Sequence, residues 1–433
     1  MPPPVSPALR RELGRWDLTA IGINQVIGGA VFLTPAIVAA QIGAWSWVAV
    51  ALVGVLALLI ALNFAEAGSR FDGTGGAYLY TRAAFGRFVS FEVGWMLWVT
   101  RVASWASVVN GLADALGYYW PAVRAGGPRA GLISAAVMTI TAVNIRGIRQ
   151  SAWTVNALTL AKLAPLAIFI VLGLPHVIGA SLLPGAGVTW AQVSASALIL
   201  IFAYGGYEVV PVPAGEARDP RRAVPFAMIA TILVVGLVMT LAQVVALGTL
   251  PAIAASKTPL ADASARFLGS WGALMMTAGA AISMSGNNMG QALSGSRSLY
   301  ALAENGDVPA VFGRVHAGFR TPAIAIAFTA AVSLGLALSG SFSSMAAVSA
   351  VSRLVVYVGT CASVLALRRH GRAPFTVALG PIVPCLAILI SLAILYGATP
   401  AQRIAGAIAL GLGAILFSAA RLAGPPPLPK DIA

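Results

Sequence analysis

Long apolar runs separated by short polar connections make up almost the whole chain. Their lengths are close to the roughly 20 residues that an α-helix needs to cross a bilayer. The pattern predicts twelve such segments, at residues 18–39, 44–65, 91–119, 131–145, 152–174, 193–212, 225–247, 271–293, 321–338, 344–367, 374–396 and 401–418. We therefore expect an all-α integral membrane protein with twelve transmembrane helices and with both termini on one side.

Two of these segments are interrupted near their middle by a pair of glycines. The interrupted stretches are Ile27, Gly28, Gly29, Ala30 and Val31 in the first segment and Phe202, Ala203, Tyr204, Gly205 and Gly206 in the sixth. Each opens a group of five segments, and matching interruptions in two halves point to a transporter binding site. The alternative is that the glycine pairs only let helices pack closely.

The interruptions predict a definite chemistry. Unwinding at Gly28–Ala30 would leave backbone N–H groups at the positive end of a half-helix, which favours an anion such as a carboxylate. Carbonyl groups freed beside Gly205 and Gly206, and at the end of the first half-helix, suit a cation such as an ammonium. Together they fit a zwitterionic amino acid without any charged side chain.

Composition and charge support a membrane protein and give its orientation. Hydrophobic residues make up 59% of the chain and charged residues only 9%, whereas soluble domains carry about 25% charged residues. If the N-terminus is cytoplasmic, 19 of the 27 Lys and Arg residues fall in cytoplasmic segments. The positive-inside rule then predicts both termini in the cytoplasm of a cell-membrane protein. The net charge of +14 indicates contact with anionic lipid headgroups rather than with nucleic acid.

Lys162, Arg101, Arg353 and Glu208 lie well inside predicted spans, where charged residues are candidates for function. Lys162 lies midway along the fifth segment, and a buried Lys can release and regain a proton. The alternative is a fixed partner for buried carbonyls. Arg101 and Arg353 do not deprotonate and need a counter-ion, for which Glu208 is the obvious choice. For these three we favour a structural ion pair over substrate contact.

Four stretches, in order along the chain, resemble the amino acid–polyamine–organocation superfamily and within it the bacterial amino acid permeases. They are the glycine-rich stretch 27–32, the loop 73–95, the stretch 202–225 around the second interruption, and the stretch 296–322. The likeness extends from residue 16 to about residue 372. This sequence departs from the family at Ala30, where Gly is common, and at Arg101, where many relatives have an uncharged residue.

The resemblance implies a core of two inverted five-helix repeats with discontinuous helices 1 and 6 and with two further helices. On this basis we divide the chain into a cytoplasmic tail (1–17), a first repeat (18–175), a second repeat (193–370), helices 11 and 12 (374–421) and a second cytoplasmic tail (422–433). It also implies an amino acid held at both breaks, and a Lys162 that takes the place of a sodium ion and couples proton movement to transport.

The expected function is therefore secondary active transport, with proton-coupled symport of a neutral amino acid favoured. An amino acid exchanger or a polyamine or organocation carrier is the alternative. A channel would need a repeated filter, and a receptor would need a signalling domain. An ATP-driven pump would need a phosphate-binding loop. The sequence has none of these. No nucleophile–base set, metal-ligand pair or cofactor motif indicates an enzyme.

The expected partners are the amino acid, protons and membrane lipids. We expect the pocket for the substrate side chain near Ser104, Tyr204, Ser283 and Asn287. A neutral side chain is favoured because no mid-membrane acid is free to meet a cationic one. Because Arg101 is positively charged, a substrate with an anionic side chain remains an alternative. The sequence alone does not distinguish among individual amino acids.

Overall fold

The computed structural model describes residues 13–72, 75–146, 152–185 and 187–422. Most of the two predicted tails, 1–17 and 422–433, lies outside the described residues, as do Gly73 and Thr74 of the 73–95 stretch. The described part is helical, and its only extended pairing is an isolated bridge between Leu13 and Ala217. That bridge ties the residue before the first helix to the loop that follows the second interruption.

Fourteen α-helices occur in the described residues. They are α1 (Arg15–Val26), α2 (Ala30–Ile42), α3 (Trp45–Gly68), α4 (Ala77–Phe85), α5 (Arg87–Leu116), α6 (Gly126–Arg146), α7 (Ala152–Gly173), α8 (Trp190–Tyr204), α9 (Pro220–Thr249), α10 (Pro259–Glu304), α11 (Ala323–Ser339), α12 (Phe342–Leu367), α13 (Ile382–Tyr396) and α14 (Pro400–Leu422).

Each of the twelve apolar segments predicted from the sequence overlaps one of these helices or, in the first segment, the α1–α2 pair. By length and composition, seven helices of the described part can cross a membrane, or eight spans if α1 and α2 count as one bent span. The architecture is therefore that of a multi-pass helical membrane protein. The count of twelve spans and the inverted repeat stay predictions.

Two helices differ from the predicted segments in where they begin and end. The stretch 374–381 is not helical, because its backbone binds the end of α3: Phe375 N–H donates to Ser69 Oγ at 3.2 Å and Val377 N–H to Glu66 Oε2 at 2.8 Å. α13 therefore begins only at Ile382. α10 is much longer than predicted, with a kink at Gly269, whose φ of 63° suits glycine.

The packing brings the two interrupted segments together. α5 lies against α10, α11 and α12, while α1 packs on α7 and α9 and α2 packs on α8. α1 also contacts the short 3₁₀ turn Tyr207–Val209 that follows α8. α10 contacts α1, α2 and α5, and the turn after α8 lies against α1.

Candidate functional site

The first interruption separates α1 from α2 with a bend of 46°. Its freed carbonyl groups are satisfied by side chains of α10, as a backbone buried away from water requires. Ser283 Oγ donates to the carbonyls of Ile27 and Gly28, both at 3.1 Å. Asn287 Nδ2 donates to the carbonyl of Gln25 at 2.8 Å. Polar side chains of α10 therefore stabilise the unwound backbone.

The start of α2 is where the sequence predicts that an anion binds. The first N–H groups of a helix have no acceptor within the helix, and they carry the positive end of its dipole. Gly28, Gly29 and Ala30 line a cavity at this point, while Ile27 and Val31 flank them outside the lining. The backbone here can therefore present N–H groups to a carboxylate without a charged side chain.

The second interruption follows Tyr204, where α8 ends. Gly206 has a φ of 133°, which side-chain-bearing residues rarely adopt. A Cβ atom on Gly206 would lie 2.7 Å from both the carbonyl carbon and the carbonyl oxygen of Gln25. Only glycine therefore allows the second interruption to lie directly against the last turn of α1.

Between the two interruptions lies a small cavity. Five of the ten residues predicted to bind substrate line it, namely Gly28, Gly29, Ala30, Phe202 and Gly205. Its other lining residues are Gln25, Val26, Ser104, Val108, Asn287, Gln291 and Arg353. The structure therefore brings Ser104 and Asn287 of the expected side-chain pocket into the same cavity.

The other predicted residues have different surroundings. Ala203 and Gly206 are buried beside the cavity and outside its lining. The Tyr204 hydroxyl donates to the carbonyl of Val50 on α3 at 2.9 Å. The Tyr204 side chain therefore packs against α3 and bonds to it, and does not line the cavity.

Sequence reasoning missed Gln25 and Gln291 as lining residues. Gln25 is a polar residue in an apolar segment two positions before the interruption, which is a signal that could have identified it. Gln291 lies one helical turn after Asn287 and donates to its side-chain oxygen at 3.3 Å. The spacing of four residues places both on one face of α10.

Arg101 and Arg353 both contact Glu208. Arg101 Nη2 lies 3.1 Å from Glu208 Oε1, and Arg353 Nη1 donates to the same oxygen. All three side chains are at most 2% exposed. The cluster joins α5, α12 and the turn after α8, so it ties the second interruption to two neighbouring helices.

Lys162 on α7 reaches the last turn of α1. Its Nζ donates to the backbone carbonyl of Asn24 at 3.0 Å and also to the side-chain oxygen of that residue. Lys162 is buried, with 1% exposure, and lies outside the cavity lining. It therefore contacts the helix that ends at the cavity rather than the cavity itself.

Comparisons with known proteins agree on one family. A family model described as amino acid permease matches residues 13–416. The serine/threonine exchanger SteT of Bacillus subtilis is 28% identical over 403 residues, with 88% of this chain and 89% of that protein covered. An uncharacterized transporter of Mycobacterium tuberculosis is 30% identical, with 96% and 92% covered. The branched-chain amino acid permease BcaP of Bacillus subtilis is 26% identical, with 89% and 87% covered.

Proposed function

Because the chain belongs to the amino acid permease family, within the amino acid–polyamine–organocation superfamily, we propose that it carries amino acids across the cell membrane by secondary active transport. Members of this family are membrane transporters rather than enzymes. The observation that carries this proposal is the cavity lined by both helix interruptions. The relatives named as a serine/threonine exchanger and as a branched-chain amino acid permease add support.

The proposed binding mode uses backbone groups for the part common to all amino acids. The α-carboxylate accepts hydrogen bonds from the N–H groups at the start of α2, beside Gly29 and Ala30. The ammonium donates to carbonyl oxygens at the end of α1 and at the last turn of α8, near Phe202. Carbonyl oxygens have two lone pairs each, so those already bonded within the protein can still accept.

Coupling to protons is assigned to Lys162. Its contacts with Asn24 link its charge to the position of the last turn of α1. Loss of the proton would remove one donor and the positive charge, which would weaken that contact and free α1 to move relative to α7. The alternative is an amino acid exchanger in which Lys162 keeps its proton and only fixes α1. A proton-coupled symporter and an exchanger therefore differ in whether the Lys162 amine releases its proton during transport.

The cavity favours an uncharged or anionic substrate side chain over a cationic one. Arg353 forms part of its wall, so a polyamine or other polycation would meet a positive charge there. Glu208 is the buried acid beside the cavity, and it already binds two arginines. The prediction of a neutral amino acid is consistent with this arrangement, and the polycation alternative is disfavoured.

We extend the proposal to topology. Twelve spans, with 18–175 and 193–370 as inverted repeats and both termini in the cytoplasm, account for the matching interruptions and for the distribution of Lys and Arg. Helices α13 and α14 then lie outside the repeats, as the division at residue 374 predicts. The host membrane is the cell membrane, whose anionic headgroups suit the excess of positive residues.

The proposal is tested with purified protein in liposomes. Labelled amino acid uptake is measured with and without unlabelled amino acid inside, and with and without an inward proton gradient. Gradient-driven accumulation into empty liposomes supports symport. Uptake that requires internal amino acid makes the protein an exchanger, and the absence of uptake for all twenty amino acids contradicts amino acid transport.

A further inference from the structure

The buried charge cluster beside the cavity is not balanced. It contains two arginines, Arg101 and Arg353, and one acid, Glu208, all at most 2% exposed. Arginine stays protonated in proteins. The cluster therefore has one excess positive charge, deep in the part of the protein where an uncompensated charge is most costly.

The single acid is fully used by protein donors. Glu208 Oε1 accepts from both arginines. Glu208 Oε2 accepts from the Gly206 N–H at 2.8 Å and lies 3.4 Å from the Tyr357 hydroxyl. It has no capacity left for the ammonium of a substrate, so this wall of the cavity is selective for negative rather than positive groups.

Arg353 is the member of the cluster that reaches the cavity. Its Nη1 binds Glu208 and its Nη2 donates to Ser104 Oγ at 3.3 Å, whereas its Nε is buried without a hydrogen-bond partner among the described residues. Arg353 and Ser104 both line the cavity. A Cβ atom on Gly205 would lie 2.0 Å from Arg353 Nη1, so this glycine makes the room that the guanidinium occupies.

The other buried acids among the described residues do not bind the cluster. Glu66 and Asp307 are bound by Arg368 and Arg87 respectively, and the carboxylate of Glu92 lies beside Gly413 of α14. Lys162 of α7, which binds the last turn of α1, adds positive charge rather than removing it. A negatively charged ligand in the cavity would therefore neutralise the excess positive charge of the cluster.

We propose that the cavity selects an amino acid with a carboxylate side chain. This inference rests on the proposed transport function and narrows its substrate class. The α-carboxylate and ammonium bind the two helix interruptions, and the side-chain carboxylate binds Arg353 and neutralises the excess charge of the cluster. Charge-assisted bonds between guanidinium and carboxylate are among the strongest that proteins form.

The test compares acids with amides of the same shape. Purified protein in liposomes takes up a labelled amino acid while aspartate, asparagine, glutamate and glutamine compete at one fixed pH. We expect the better of the two acids to compete at least about tenfold more strongly than its amide, the factor that corresponds to about 1.4 kcal/mol. Arg353→Gln should bring that ratio close to one, and Arg353→Lys should keep part of it.

The matched control is Arg368→Gln, which removes an arginine from a pair with Glu66 away from the cavity. It should leave the ratio of acid to amide unchanged. Equal competition by acids and amides in the unaltered protein overturns the inference, while amino acid transport stands. Failure of all twenty amino acids to compete or be taken up overturns the transport function itself, so the two failures are distinct.

Discussion

Gly206 lies against the backbone of Gln25, so closely that a Cβ atom on the glycine would be 2.7 Å from the carbonyl carbon of Gln25. This contact joins the two interrupted segments of the chain. It also holds the end of α1 against the turn after α8. Movement of either half-helix must therefore be accommodated by the other.

Gly206→Ala should abolish transport. The new methyl group would meet the Gln25 backbone, and the φ of 133° is strained for alanine. We expect uptake into liposomes to fall by more than about tenfold, the effect of roughly 1.4 kcal/mol. Gly411→Ala on α14 is the control, because a Cβ there would have no described neighbour outside its own helix within 4 Å. Normal uptake by the Gly206 variant would contradict the close approach.

Glu208→Gln should destabilise the protein. It leaves Arg101 and Arg353 buried side by side without a counter-ion, and removing one partner of a buried ion pair costs about 3–5 kcal/mol. The measurement is the thermal unfolding temperature of the detergent-solubilised protein.

The double variant Glu208→Gln with Arg101→Gln provides the control for this charge argument. It removes one of the two arginines that lack a counter-ion, so it should unfold at a higher temperature than Glu208→Gln alone. A double variant that is less stable than the single one would show that packing, rather than charge, determines the loss.

Lys162→Met should uncouple transport from protons. Methionine keeps an unbranched apolar chain but removes the amine that binds Asn24. We expect loss of accumulation driven by an inward proton gradient, with exchange of internal for external amino acid retained. Lys257→Met, at an exposed position, should behave like the unaltered protein. Full gradient-driven accumulation by the Lys162 variant would exclude Lys162 as the coupling group.

The predicted orientation is open to a direct measurement. Fusions of a fluorescent reporter that folds only in the cytoplasm should be bright at the C-terminus and after residue 146, and dark after residue 257. The reason is the excess of Lys and Arg in the segments assigned to the cytoplasm. A bright fusion after residue 257 would contradict the assigned topology.

The sequence predicted the helical segments and the positions of the interruptions because these depend on local features. A run of apolar residues and a Gly-Gly pair are visible in one stretch of chain. The prediction of an amino acid permease is confirmed by the family match over residues 13–416. The roles of the individual site residues and the proton coupling stay predictions.

Other parts of the site depend on tertiary structure and could not be predicted from the sequence. Both arginines share one oxygen of Glu208 only because α5, α12 and the turn after α8 converge. The Tyr204 hydroxyl binds α3 rather than facing the cavity, a direction that depends on how α8 packs. The late start of α13 at Ile382 follows from backbone bonds to Ser69 and Glu66, which are distant in sequence.

The measurement that tests the central claim most directly is substrate competition for uptake into liposomes containing the purified protein. Each of the twenty amino acids competes with a labelled one, alongside the amines that lack the α-carboxylate. The account predicts that at least one amino acid is taken up and competes, and that its decarboxylated amine does not, because the start of α2 binds the carboxylate. Equal competition by the amines, or no uptake of any amino acid, would contradict it.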